Sequence, residues 1–397
     1  MRLQVWFLLW LLVSPTFADP PFVGTASNGS LLLRPADGQQ LLIAGADFSK
    51  LLATVERQGR MLETLTQRLA DQQCMVTADT TTITGLGTGS KWEGGVLAGN
   101  GKIYGMPRYS TSVLIIDPTT DTADTTSITG LSGLRDKWYG GVLAGNGHIY
   151  GIPHISASVL IIDPATNTAD TTTIAGLSGD GKWHGGVLAG NGKIYGIPAN
   201  SASVLIIDPT TNTADITTIT DLSGVGKWVG GVLAGNSKIY GIPYSSESVL
   251  IIDPTTNTVD TTTITGLSGS GKWEGGVLAG NGKIYGIPQH SGSVLIIDPA
   301  TNTADTTTIM GLSGASWGRG VLAGSGKIYG IPYSSPSVLV IDPATNTADT
   351  TTIMGLSSET GKWYDGVMAG NGKIYGIPHN SASVLIIPQS CVVTKRL

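Results

Sequence analysis

Two sets of positions in this chain carry side chains that could recognise a ligand. One set directly follows regularly spaced tryptophans and includes Glu93, Tyr139, His184, Glu274 and Tyr364. The second set lies in short segments further along each unit and includes Arg108, Tyr109, His154, Tyr244, His290, Tyr333 and His379. Carboxylate, guanidinium, imidazole and phenol groups supply charge, hydrogen bonds and ring surface, which polar ligands require. We take these residues as candidate ligand-binding residues.

The same residues do not assemble into a catalytic or metal-binding motif that we can identify. The chain has no His-Glu-x-x-His sequence, and its five histidines are scattered over different repeat units. We therefore expect no catalytic residue, no metal, no cofactor and no enzymatic activity.

The elements that would position these side chains come from a sevenfold internal repeat with a period of 44 to 46 residues. Within the unit at 182–220, runs at 185–189, 193–197, 203–207 and 214–219 each have the composition of a short strand. Gly190-Asn191-Gly192 is a strong hairpin-turn signal between the first two. Four antiparallel strands repeated seven times predict an all-β, seven-bladed β-propeller. The repeats are marked by Trp92, Trp138, Trp183, Trp228, Trp273, Trp317 and Trp363.

The ends of the repeat region predict how the ring closes. The region begins with a fourth strand at 78–83 and ends with a third strand at 383–387, so the N-terminal strand should complete the last blade. Cys74 and Cys391 align with Thr210 and Thr211, in the turn between third and fourth strands. A Cys74–Cys391 disulfide would replace the backbone connection that this blade lacks.

The repeat phrase resembles a kelch unit. Its double glycine, the tyrosine that follows and the Asp-Pro turn correspond to the kelch pattern over residues 78–387. The unit departs from that pattern where Gly-Ile-Pro follows the second strand and where the tryptophan precedes the first. The resemblance implies a propeller fold and a general binding role.

The segments outside the propeller (74–391) have their own signatures. Residues 1–18 have the pattern of a signal peptide, so we expect a secreted protein with no membrane insertion after cleavage. Residues 19–45 are predicted to be a linker with a glycosylation sequon at Asn28, and 392–397 a C-terminal tail. Apolar residues at heptad spacing over 46–73 predict an α-helix, which either forms a homo-oligomeric coiled coil or lies against the propeller.

Composition and repeat comparison narrow the function. A net charge of −5 without a basic tract gives no sign of nucleic-acid binding. Side-chain variation is concentrated in the two candidate sets, which antiparallel blades should place on one face. We expect a secreted binding scaffold for an extracellular protein or glycan. One alternative is a lectin with one Trp-containing site per blade, and another is an enzyme with a site in the central channel. A lysine precedes six of the seven tryptophans, and these lysines either attract anionic glycans or are simply solvated.

Overall fold

The structure of the protein is a computed structural model that describes residues 22–25, 31–34, 41–43, 57–64 and 77–389. The chain divides into two units, Met1–Cys74 and Met75–Leu397. The predicted signal peptide, Asn28, the ends of the predicted helix at 46–73, both cysteines and the tail at 392–397 lie outside the described residues.

The first unit contains a small antiparallel sheet where the sequence predicted only a linker. Strands β1 (Phe22–Thr25), β2 (Leu31–Arg34) and β3 (Leu41–Ile43) pair in that order. The linker prediction for 19–45 is corrected here, because apolar runs separated by Asn28-Gly29 and Asp37-Gly38 are the usual signal of hairpins. Residues 57–64 form a helix, α1, whose residues are exposed.

The second unit is a seven-bladed β-propeller, as predicted. The first strands are β4 (Trp92–Leu97), β8 (Trp138–Leu143), β12 (Trp183–Leu188), β16 (Trp228–Leu233), β20 (Trp273–Leu278), β24 (Trp317–Leu322) and β28 (Trp363–Met368). The second strands are β5 (Ile103–Pro107), β9 (Ile149–Pro153), β13 (Ile194–Pro198), β17 (Ile239–Pro243), β21 (Ile284–Pro288), β25 (Ile328–Pro332) and β29 (Lys373–Pro378). The third strands are β6 (Leu114–Asp117), β10 (Leu160–Asp163), β14 (Leu205–Asp208), β18 (Leu250–Asp253), β22 (Leu295–Asp298), β26 (Leu339–Asp342) and β30 (Leu385–Pro388). The fourth strands of the first six blades are β7 (Thr122–Asp124), β11 (Thr168–Asp170), β15 (Thr213–Asp215), β19 (Thr258–Asp260), β23 (Thr303–Asp305) and β27 (Thr347–Asp349).

The fourth strand of each blade is shorter than its sequence pattern suggests. In the third blade the strand ends at Asp215, although alternating residues continue to Ile219. The Asp215 carboxylate accepts hydrogen bonds from the backbone N–H groups of Thr217 and Thr218 at 2.7 and 3.2 Å. A side-chain acceptor of this kind bends the backbone away from the sheet ladder.

The seventh blade is closed by the N-terminal segment of the propeller. Asp79 N donates to Ile386 O and Ile386 N donates to Asp79 O, both at 2.8 Å. Val384 N donates to Ile83 O at 3.0 Å. The segment at 78–83 therefore occupies the outer position of the blade formed by β28, β29 and β30, which confirms the predicted closure.

The core consists of seven apolar seams between neighbouring blades. In one seam Tyr150 and Ile152 of the second blade pack with Trp183 and Leu205 of the third. Trp183 Nε1 donates to Ser203 O at 2.8 Å, so its polar atom is satisfied inside the seam. All seven repeat tryptophans are only 1–3% exposed. A buried indole has no free face for a ligand, so these residues hold the blades together.

Candidate functional site

Nine of the twelve candidate residues converge on one cavity at the axis of the propeller, which we call the axial cup. Its volume is about 330 Å³. First-strand residues Glu93, Tyr139, His184, Glu274 and Tyr364 line it, together with Arg108, His154, Tyr244 and Tyr333 from the loops after second strands. Residues from both sets therefore meet in this cavity. Every blade contributes at least one lining residue, and Val229, Ala199, Asn200, Gly226 and Gln289 complete the wall.

The cup has a charged side around Arg108. Arg108 Nε donates to Asp136 Oδ1 at 2.6 Å, and its Nη1 lies 3.0 Å from Glu93 Oε2. The Tyr139 ring contacts both the Arg108 guanidinium, 4.9 Å from its centroid, and the His154 ring, stacked at 3.8 Å. Burial alone would lower the pKa of Arg108, but Glu93, Tyr139 and Asp136 raise it overall. Arg108 therefore stays charged and is already neutralised by two carboxylates.

The opposite side of the cup surrounds Glu274 with tyrosines. The Tyr364 hydroxyl donates to Glu274 Oε1, and the Tyr333 ring packs edge-on against Tyr364 at 5.6 Å. Burial raises the pKa of Glu274 to about 8, and the nearby charge of Glu93 adds to the effect. Glu274 is therefore mainly protonated at neutral pH. Burial and the adjacent Glu274 carboxyl also raise the pKa of Tyr244 to about 12.

His184 connects the two sides. Its Nε2 lies 3.0 Å from Glu93 Oε1 and 3.6 Å from Glu274 Oε1. Burial, with Arg319 and Arg108 nearby, holds its pKa well below the usual range, so the imidazole is neutral. Glu93 and Glu274 are each 1% exposed, and neither Glu93 carboxylate oxygen has a hydrogen-bond partner of good geometry among the described residues. The cup thus holds two buried acidic groups in close contact with His184, Arg108 and Tyr364.

Two residues at the axis were not anticipated from the sequence. Arg319 and Asp365 occupy the place that glycine holds in the first strands of the other five blades. A Cβ atom added to Gly185 would lie 2.8 Å from Arg319 Nη2, so the guanidinium reaches across the axis to the third blade. Arg319 Nη1 pairs with Asp365 Oδ2 at 3.6 Å. The broken Gly-Gly pair in WGRG and WYDG was the signal that could have revealed them.

Three of the predicted site residues lie outside the cup lining. His379 is buried next to Arg108, and its Nε2 accepts a hydrogen bond from Arg108 Nη1. Burial lowers the pKa of His379. Tyr109 donates to Asp136 Oδ2 at 3.3 Å. His290 is exposed beside Gly271 and does not line the cup.

The lysines that precede the tryptophans are structural. Lys137, Lys182, Lys227, Lys272 and Lys362 are buried, and Lys91 is half-buried. Lys227 Nζ donates to three backbone carbonyl oxygens, each at 2.9 Å, and lies 5.7 Å from the Trp228 ring centroid. The interpretation of these residues as solvated, and the alternative of an exposed lysine ring for anionic glycans, are both wrong because backbone carbonyls and the indole enclose the ammonium groups.

Ser316 stands where the other blades have this lysine. With its neighbours it forms the string Gly314-Ala315-Ser316-Trp317-Gly318, which matches the Gly-x-Ser-x-Gly pattern of α/β-hydrolases. That pattern needs a strand-to-helix turn, whereas this string leads into β24. Ser316 Oγ is buried without a hydrogen-bond partner, so the match carries no nucleophile.

A second cavity of about 340 Å³ lies over Trp228 and is lined by Asp221, Val225, Ser245 and Ser246 among others. It lies apart from the converging ionisable groups. Within 77–389 and the shorter described segments, no group of three or more His, Cys, Asp or Glu side chains is arranged to hold a metal ion. No helix in the described part of the chain is long and apolar enough to cross a membrane.

Comparisons with known proteins identify the fold but no family. No model of a known protein family matches the chain, and no curated protein sequence matches it. Virginiamycin B lyase from Staphylococcus aureus is similar in structure, with a TM-score of 0.64 at 9% identity, over 78% of this chain and 98% of that one. The extracellular domain of a proposed one-component system from B. thetaiotaomicron has a TM-score of 0.61 at 10% identity, over 94% of this chain and 47% of that one. Hydrazine synthase from Kuenenia stuttgartiensis has a TM-score of 0.59 at 14% identity, over 77% and 97%.

These likenesses establish a seven-bladed β-propeller. At such low identity they say nothing about a shared ligand or activity. The kelch relationship suggested by the repeat phrase stays a prediction.

Proposed function

We propose that the protein is a secreted, non-enzymatic binding protein that holds one ligand in the axial cup. The observation that carries this proposal is the convergence of ionisable side chains from different blades on one cavity, where the buried Glu93 carboxyl group lies 3.0 Å from both Arg108 Nη1 and His184 Nε2. A cavity in which a few polar and ionisable groups converge is the usual place for a ligand. The signal-peptide pattern at 1–18 and the extracellular location of one structural neighbour support secretion.

One asymmetric site fits the side chains better than seven equivalent sites. The residues that line the cup differ from blade to blade, whereas the tryptophans that do repeat are buried in the seams. The lectin alternative with one Trp-containing site per blade therefore loses its aromatic platforms. A glycan or a protein side chain remains a suitable partner for the cup itself, which falls in the usual size range of ligand pockets, about 300–1,000 Å³.

A second candidate function is acid–base catalysis in the cup. Glu274, Tyr364 and His184 lie together, and burial raises the pKa of Glu274 to about 8, which is the range that proton-transferring carboxyl groups use. Chemical conversion of a bound ligand, followed by mass spectrometry, would distinguish this function from binding alone.

Binding is tested by thermal-shift screening of a metabolite and glycan library, followed by calorimetry of the hits. Tyr244→Ala and Tyr333→Ala remove half-buried lining residues, and each should weaken binding about tenfold or more. Val225→Ala is the matched control, because Val225 lies on the same face, is 77% exposed and lines only the second cavity. A ligand whose affinity falls in Val225→Ala and not in the tyrosine variants would place the site in the second cavity.

A further inference from the structure

The two sides of the axial cup differ in how their charges are compensated. On the Arg108 side, Asp136 and Glu93 already neutralise the guanidinium. On the other side, no Lys or Arg in the described part of the chain forms an ion pair with Glu274. Arg319, whose charge also acts on Glu274, is paired with Asp365. The lining therefore contains two carboxyl groups and one guanidinium that is already paired, and among the described residues Glu274 is the lining carboxyl group without an ion pair to Lys or Arg.

The more exposed tyrosine rings are on that same side. Tyr139 is buried, with the Arg108 guanidinium 4.9 Å from its centroid and the His154 ring stacked on it at 3.8 Å. Tyr244 and Tyr333 are half-buried, line the cup and flank Glu274 together with Tyr364. Tyrosine rings next to a carboxyl group form the kind of cage that holds an organic cation, because the negative ring faces attract positive charge and the acid does so once it is ionised.

We propose that the axial cup binds a ligand through an ammonium group, quaternary or primary, seated between Tyr244, Tyr333 and Glu274. This inference rests on the proposed function, since it names the chemistry of the ligand for the same site. The ammonium group belongs either to a free small molecule or to a modified lysine side chain of a protein.

The groups around Glu274 predict how such binding depends on pH. Glu274 is faced by Tyr364 from β28, His184 from β12, Glu93 from β4 and Arg319 from β24. Tyr244 and Tyr333 face it from the loops after β17 and β25, and Arg108 acts on it from the loop after β5. A bound cation favours the ionised form of Glu274, so binding at neutral pH should release a proton from it. Affinity should therefore rise as pH rises through about 8.

Three probes of similar size and shape but different charge distinguish the contribution of charge from that of shape. Calorimetry on the full chain would compare choline, its uncharged isostere 3,3-dimethylbutan-1-ol and the anion 3,3-dimethylbutanoate. Choline should bind about tenfold more tightly than the alcohol, and the anion least well. A trimethyllysine peptide, compared with its unmodified lysine and its norleucine counterpart, tests the protein source of the same group.

Glu274→Gln is the diagnostic variant, since it keeps the size of the side chain and removes its charge. Choline affinity should rise on the order of tenfold between pH 6.5 and pH 9 in the natural protein and stay flat in Glu274→Gln. Equal binding of choline and the alcohol, preference for the anion, or an unchanged pH profile in Glu274→Gln would overturn the ammonium inference. The ammonium inference would also be overturned if a library ligand bound in a way that depends on Tyr244 and Tyr333 while neither choline nor the peptide bound. The proposed function would stand in that case. Failure of every library compound and every probe would count against the proposed function itself.

Discussion

Replacing the buried lysine of one seam by methionine tests whether that ammonium group is structural. Lys227→Met keeps most of the side-chain volume and removes the three hydrogen bonds from Nζ to Ala199 O, Ser201 O and Gly224 O. Ala199 O keeps a partner, because the backbone N–H of Lys227 also donates to it at 3.0 Å. Two carbonyl oxygens are therefore left without this donor.

The expected loss follows from these contacts. Each carbonyl left unpaired costs about 1–2 kcal/mol, and the interaction of the ammonium with the Trp228 ring contributes about 0.5–1 kcal/mol. Burial lowers the pKa of Lys227 to about 8, so removing the ammonium also relieves a desolvation cost. We expect the free energy of unfolding to fall by about 2–3 kcal/mol, measured by urea denaturation with tryptophan fluorescence.

Lys238→Met in the same blade is the matched control. Lys238 Nζ lies 3.6 Å from Asp253 Oδ2, and its side chain is partly exposed. Pairs of this kind contribute little, so the control should lose less than about 0.5 kcal/mol. Equal stability of the two variants would refute the structural role. Loss of ligand binding in Lys227→Met at unchanged stability would point instead to recognition by the lysines.

Three further outcomes are expected. If Cys74 and Cys391 are bonded, non-reducing peptide mapping will recover the linked pair and Cys391→Ser will lower the melting temperature, whereas free thiols in exported protein would exclude the bridge. Light scattering should give at least twice the monomer mass, and deletion of 46–73 should abolish this; a monomeric full-length chain would contradict the coiled coil. Asn191→Ala should lower the free energy of unfolding by about 1–2 kcal/mol without changing ligand affinity, because Asn191 Nδ2 joins two blades by donating to Tyr195 OH and Pro254 O, both at 3.0 Å. A change in affinity with unchanged stability would show that the turn face takes part in binding.

The buried positions also change how the binding face should be probed. From the sequence, Tyr139, His184 and Tyr364 look like exposed loop residues that could be replaced together by alanine without loss of stability. All three are buried in the structure. Large-to-small substitution at buried aromatic positions costs several kcal/mol, so this triple variant would unfold the ring rather than test binding. Tyr244 and Tyr333 are better probes because they are half-buried.

The architecture of the propeller could be predicted because its determinants are local and repeated. The Gly190-Asn191-Gly192 turn, the apolar run at 203–207 and the Asp208-Pro209 turn each lie within a few residues of the structure they specify. When seven such units follow one another, a closed ring is the arrangement that buries the faces of every blade. The same comparison of repeats located the candidate residues, since variation against a constant background is visible in one sequence.

The tertiary structure alone decided which of those side chains meet and what surrounds them. Tyr364 lies 90 residues from Glu274 and 180 from His184 along the chain, yet ring closure brings all three into contact. The same closure carries Arg319 across the axis to Gly185. Packing of neighbouring blades encloses Lys227 among backbone carbonyls. The burial and charge pairing of a side chain depend on residues contributed by other blades. A strand pattern extends over only a few residues and therefore does not predict them. The sequence by itself therefore determined the blades and the candidate face, while packing around the axis determined that Glu274 is a buried acid held by Tyr364 and His184.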